Sequence, residues 1–139
     1  MKAVKGEFEN LYFHDSPVKD TLISADKITF ELGFAHINSD HNQNACGKVI
    51  CAKECQLRFL GVEALIVQVY QDEKKEWAVL KTPQQNDFLQ DIVETAITEE
   101  GCYQLSGMNK NSQWSEWQIK AENVTLTWEV EGESWLTKQ

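Results

Sequence analysis

"KITFELGFAHI", residues 27–37, is the stretch whose reading decides the fold. Apolar side chains occupy alternate positions: Ile28, Phe30, Leu32 and Phe34, with His36 in the same row. Thr29, Glu31 and Gly33 fill the other row. A period of two is what a half-buried strand requires, because successive side chains point to opposite faces. Ile, Thr and Phe also suit a pleated surface packed on one side.

The same pattern continues on both sides of this stretch. Upstream, "VKDTLISADKITFEL" (18–32) reads as strand, Ala25-Asp26-Lys27 turn, strand. Downstream, "DHNQNACG" (40–47) is a polar, turn-forming cluster. In "VICAKECQLRF" (49–59), Val49, Cys51, Cys55, Leu57 and Phe59 share a parity, and Lys53 is the misfit. A bulge or an edge position near Lys53 would remove that conflict. "FLGVEALIVQVY" (59–70) reads as a turn at Gly61 followed by a strand with Leu65, Val67 and Val69 on one face. The charged tip "QDEKKE" (71–76) and the short strand "WAVL" (77–80) then complete a hairpin.

The segment "NDFLQDIVETAITEE" (86–100) supports two readings. Leu89, Ile92, Val93, Ala96 and Ile97 fit a helix capped by Asn86 or Asp87. Val93, Thr95 and Ile97 also alternate, and a turn at Gly101 leads into Tyr103 and Leu105. A hairpin over about 92–107 explains both halves and is preferred here, with room for one short helix near 86–97. The last pattern, "WSEWQIKAENVTLTWEV" (114–130), puts Val124, Leu126, Trp128 and Val130 on one face. Many short strands separated by turns predict an all-β domain over 1–139, an antiparallel sandwich or open barrel.

"ENLYF" (9–13) has the letters of an engineered protease site. His14 stands where that site needs glutamine, and Asp15-Ser16-Pro17 follow as turn formers. The segment is read as part of the native fold. "FHDS" (13–16) is not a catalytic triad, because neighbours in an extended chain point apart while triad side chains must converge.

"FHDS", "DKITFEL" (26–32) and "IKAENVTLTWE" (119–129) together resemble a loose group of small bacterial proteins, some of them suspected immunity proteins of polymorphic toxin systems. The letters that carry the resemblance are His14, Asp15, Ser16, Lys120, Ala121, Val124 and Trp128. The resemblance implies an all-β protein whose role is binding, and it carries over no catalytic residue.

Net charge is −9 over 139 residues. Phosphate backbones and anionic membrane surfaces would be repelled, whereas a basic protein would be attracted. No apolar run approaches the roughly 20 residues of a membrane span, and the first residues carry no apolar secretory core, so a cytoplasmic location is expected. The cysteines are then expected as free thiols. His36, His41 and Cys46, with Cys51 and Cys55 beyond, form the best metal candidate, although no Cys-x-x-Cys pairing is present. Ordinary buried thiols and a packed histidine are the preferred reading, and nothing in the pattern calls for a cofactor. Phosphate-loop and dinucleotide-binding signatures are missing, and paired carboxylates such as Glu99–Glu100 lie in an expected turn that would not push their pKa values apart, so an enzyme is not expected.

The expected function is neutralisation of a basic, nuclease-type toxin by direct contact. Asp72, Glu73, Glu116, Glu131 and Glu133 are the candidate partner-binding acids. Trp114 and Trp135, set among polar neighbours, are the apolar anchors. The alternative is a β-barrel that holds a small ligand or metal near the 36–46 loop. Oligomeric state is left open by the sequence.

Overall fold

The computed structural model describes residues 2–132. Eleven antiparallel strands are formed there: β1 (Lys2–Lys5), β2 (Leu11–Tyr12), β3 (Ser16–Ile23), β4 (Lys27–Ile37), β5 (Ile50–Gln71), β6 (Glu76–Leu80), β7 (Asp91–Ile92), β8 (Glu94–Ile97), β9 (Tyr103–Met108), β10 (Trp114–Trp128) and β11 (Val130–Gly132). The main path is β7-β3-β4-β5-β10-β9-β8. Because β7 and β8 follow one another in the chain, that path returns to its start and nearly closes a barrel. The fold is all-β, as the alternation predicts.

No α-helix forms over 86–97. Its place is taken by one 3-10 turn, Gln85–Asp87, capped by Gln84, whose N–H donates to Asp87 Oδ2 at 2.8 Å. The hairpin reading of 92–107 holds, with β8 paired to β9 from Glu94↔Ser106 to Ile97↔Tyr103. Tertiary pairing decides this segment, because both periods fit it locally.

Two other details differ from the sequence reading. Gly61 is not a turn. β5 runs unbroken through it, with Gly61 at φ +65° and pairing to β10 on both sides. The backbone creases there, opposite Glu122, whose side chain fills the space a Cβ would need. Between Lys120 and Ala121 the register slips, leaving Glu63 as the extra residue of a bulge.

The second difference lies in residues 27–37. Ile28, Phe30 and Leu32 enter the core, but Ala35 and Ile37 replace Phe34 and His36 there. β5 changes face at the same level, from Ala52 to Cys55, across Lys53 and Glu54. Glu54 adopts φ 50°, while Leu32↔Cys55 and Phe34↔Lys53 keep one register, so both strands flip together. β3 matches them with a bulge between Val18 and Asp20, and Lys19 Nζ clamps the crease to Glu54 at 2.6 Å. The irregularity expected near Lys53 is therefore present, and it spans three strands.

The interior is filled by rings. Phe8, Phe30, Phe59 and Trp117 are buried, and Tyr103 packs against them. Phe30 lies 5.7 Å from Trp117 and 6.1 Å from Phe59, and Phe8 lies 5.1 Å from Tyr103. Burial of this much aromatic surface dominates the stability of a small barrel.

Candidate functional site

The second half of β5 carries a face that the core does not use. Val67 and Val69 point inward, with Ala78 and Leu80 of β6 beside them. Gln68 and Tyr70 therefore point outward. Tyr70 pairs with Trp77 and Gln68 with Val79. On the other side Gln68 pairs with Glu116, and Trp114 lies one position beyond the Ser115↔Val69 pair. Trp114 pairs in turn with Met108, and Glu116 with Ser106.

The result is a strip of Trp77, Tyr70, Trp114 and Met108 across four strands, with a polar row behind it. Tyr70 and Trp77 meet edge to face, centroids 5.4 Å apart. Trp77 is 41% exposed and Val79 is 62% exposed. Glu116 accepts from Gln68 Nε2 at 3.1 Å, which holds the carboxylate on this face. Asp72 and Glu73 sit at the β5–β6 tip, where they line an open depression with Tyr70 and Gln113. Lys74 and Lys75 share that tip, so its charge is mixed.

Four of the expected partner-binding residues, Asp72, Glu73, Trp114 and Glu116, thus converge on one end of the sheet. Glu131 does not join them. It pairs with Ala52, sixteen positions along β5 from Gln68 (68 − 52). Its carboxylate binds Lys2 and accepts from Trp128 Nε1 at 3.2 Å. Those two hydrogen bonds, Lys2 first, hold it below the usual glutamate range. Glu131 ties β1, β10 and β11 together. Glu133 and Trp135 lie outside the described residues. Trp117 and Trp128 belong to the core.

Tyr70, Trp77 and Val79 were not anticipated as site residues. The available signal was the hairpin tip, since residues flanking QDEKKE must face each other.

The metal candidates are engaged in other contacts. His41 is buried, its Nε2–H donating to the Gly6 carbonyl at 3.0 Å while Nδ1 accepts from the Gln43 N–H at 3.1 Å. Cys46 Sγ lies 3.1 Å from Asn44 Oδ1, and buried Asn44 organises the loop through bonds to the Ile37, Asn38 and Lys48 carbonyls. His36 is turned to the outer side of the crease, beneath Tyr12 and beside Phe34. It pairs with Cys51. Desolvation lowers the His36 pKa and raises that of Cys51. Among the described residues no three His, Cys, Asp or Glu side chains are placed to share a metal.

In the 13–16 turn, Ser16 donates to the Phe34 carbonyl at 2.5 Å. His14 contacts Asp15 at 3.2 Å and the Val93 carbonyl at 3.0 Å. These contacts join the turn to the barrel seam. Asp15 takes φ 60° in this turn, with its Oδ2 beside His14 Nε2.

No helix among the described residues is long and apolar enough to cross a membrane. The chain matches no protein-family model, no curated protein and no solved structure.

Proposed function

We propose that this protein acts by binding another protein, as an immunity-type inhibitor that covers a basic toxin. The observation that carries the reading is the outward-facing Trp77-Tyr70-Trp114 strip, Trp77 exposed and the other two half-buried, bordered by Glu116, Asp72 and Glu73. Aromatic side chains bury large area at low entropic cost, and carboxylates around them complement a basic surface. A net charge of −9 speeds encounter with such a partner. The filled interior gives no comparable support to ligand binding inside the barrel.

The test is capture from a lysate of the source cells at low and high salt, with the bound protein identified and its amount measured. One basic partner in near-equal amount, weakened by salt and lost in Trp114→Ala with Glu116→Lys, supports the reading. Capture that ignores both substitutions, or a partner without excess positive charge, overturns it.

A further inference from the structure

The path of the sheet ends at β8, and among the described residues no strand pairs its other edge. Thr98 N–H donates to the Cys102 carbonyl at 2.8 Å, in step with the Ala96↔Gln104 and Glu94↔Ser106 pairs. An antiparallel ladder alternates bonded and unbonded pairs, so Thr95 and Ile97 turn their N–H and C=O groups away from β9. Such a row is a template for an added strand. A gap lies beside it. An open depression of about 350 Å³ runs between Val93-Glu94-Thr95 and the 9–14 segment, with buried Leu11 and Phe13 in its wall. His14 spans the gap at Val93, 3.0 Å from the carbonyl oxygen.

Charge decides which strand fits. Residues 6–18 and 82–109, which supply the two walls, contain eight acids and no lysine or arginine, so they hold −8 of the net −9. Glu9 stands on one wall and Glu94 on the other. Glu94 also continues the outward row beside the aromatic strip, from Gln68 through Glu116 and Ser106. The two faces of β8 differ. Thr95 and Ile97 lie on the inner side, opposite Leu105 and Tyr103, and Ile97 is 47% exposed. Neighbours across a ladder share a face, so a strand added here places cations beside Glu94 and apolar side chains over Ile97.

We propose that β8 is extended by a strand of the partner protein in which lysine or arginine alternates with apolar residues. This rests on the reading of a basic protein partner and adds the segment through which that partner docks. Backbone pairing supplies the hold, and charge supplies the choice of strand. β8 is four residues long and offers few such bonds, so an isolated peptide binds weakly, with a dissociation constant on the order of 10–100 µM.

The experiment titrates the full chain with a short synthetic peptide of alternating lysine and valine and follows amide hydrogen exchange residue by residue. The expected result is protection of the Thr95 and Ile97 amides, weakened by salt. Glu94→Lys, at an exposed position, is expected to weaken binding by about tenfold or more. A peptide of the same charge with proline at its central positions lacks the backbone donors and is expected to lose binding to a similar extent. A glutamate-valine peptide is expected not to bind. No binding at about 1 mM peptide overturns the proposal. Equal binding of the proline peptide, or protection that leaves out Thr95 and Ile97, overturns it as well. These outcomes are read without the natural partner, so they are distinct from a failed capture, which bears on the partner reading alone.

Discussion

The carbonyl oxygen of Asp91 occupies the place where a side chain on Gly107 would begin. Asp91 Oδ1 also accepts the Met108 N–H at 3.0 Å, and Asp91 pairs with Pro17 of β3. This close crossing lets the sheet return to its first strands. Gly107→Ala drives a Cβ into backbone, which cannot rotate away as a side chain can. We expect a loss of about 2–4 kcal/mol, read as a lower urea midpoint. Gly132→Ala, which meets only the flexible Lys53 chain, is expected to cost less than about 1 kcal/mol. Equal effects from the two substitutions would refute this account of the seam.

Thiol reactivity is expected to divide the cysteines. Cys46 is exposed, whereas Cys51 and Cys55 are buried. Burial pushes the Cys55 thiol up from 9.0 to about 12. At pH 8 an aromatic disulfide reagent is expected to modify Cys46 quickly, and Cys51 and Cys55 only on unfolding. The unfolded chain ionises Cys55 above pH 9 while the fold keeps it protonated. The contribution is therefore complete below pH 9 and declines as pH rises toward 12. Cys55→Ala is expected to flatten that alkaline decline. Rapid Cys55 modification in the folded chain would contradict the assignment.

His36 is expected to act on the acid side. Desolvation lowers its pKa from 6.5, so below that pH the unfolded state binds the proton more readily than the fold does. The contribution is fully present above pH 6.5 and is lost as pH falls toward the depressed folded value. His36→Phe keeps a ring against Tyr12 and Phe34 and removes the titration. Urea midpoints of this variant are expected to fall less steeply below pH 6.5 than those of the parent. An unchanged slope would show that other groups set the acid limb.

The sequence by itself determined which segments are strands, because alternation is a property of a few consecutive residues. The strands read at 27–37, 62–70, 77–80 and 114–130 were legible in this way, as was the core face of Trp128. It also located Asp72, Glu73, Trp114 and Glu116 as polar-flanked or charged positions, though not as neighbours. Only the tertiary structure decided the rest. The crease at Gly33 and Glu54 reverses the faces of β4 and β5, so simple parity put Phe34 and His36 on the wrong side. The 86–97 segment satisfies two periods locally, and pairing to β9 selects one. Glu131 looked like a free surface acid until β1 brought Lys2 to it. Trp77 and Trp114, far apart in the chain, share one face because β5 lies between their strands and sets the register on both sides. Register is a relation between distant segments, and no local pattern of side chains contains it.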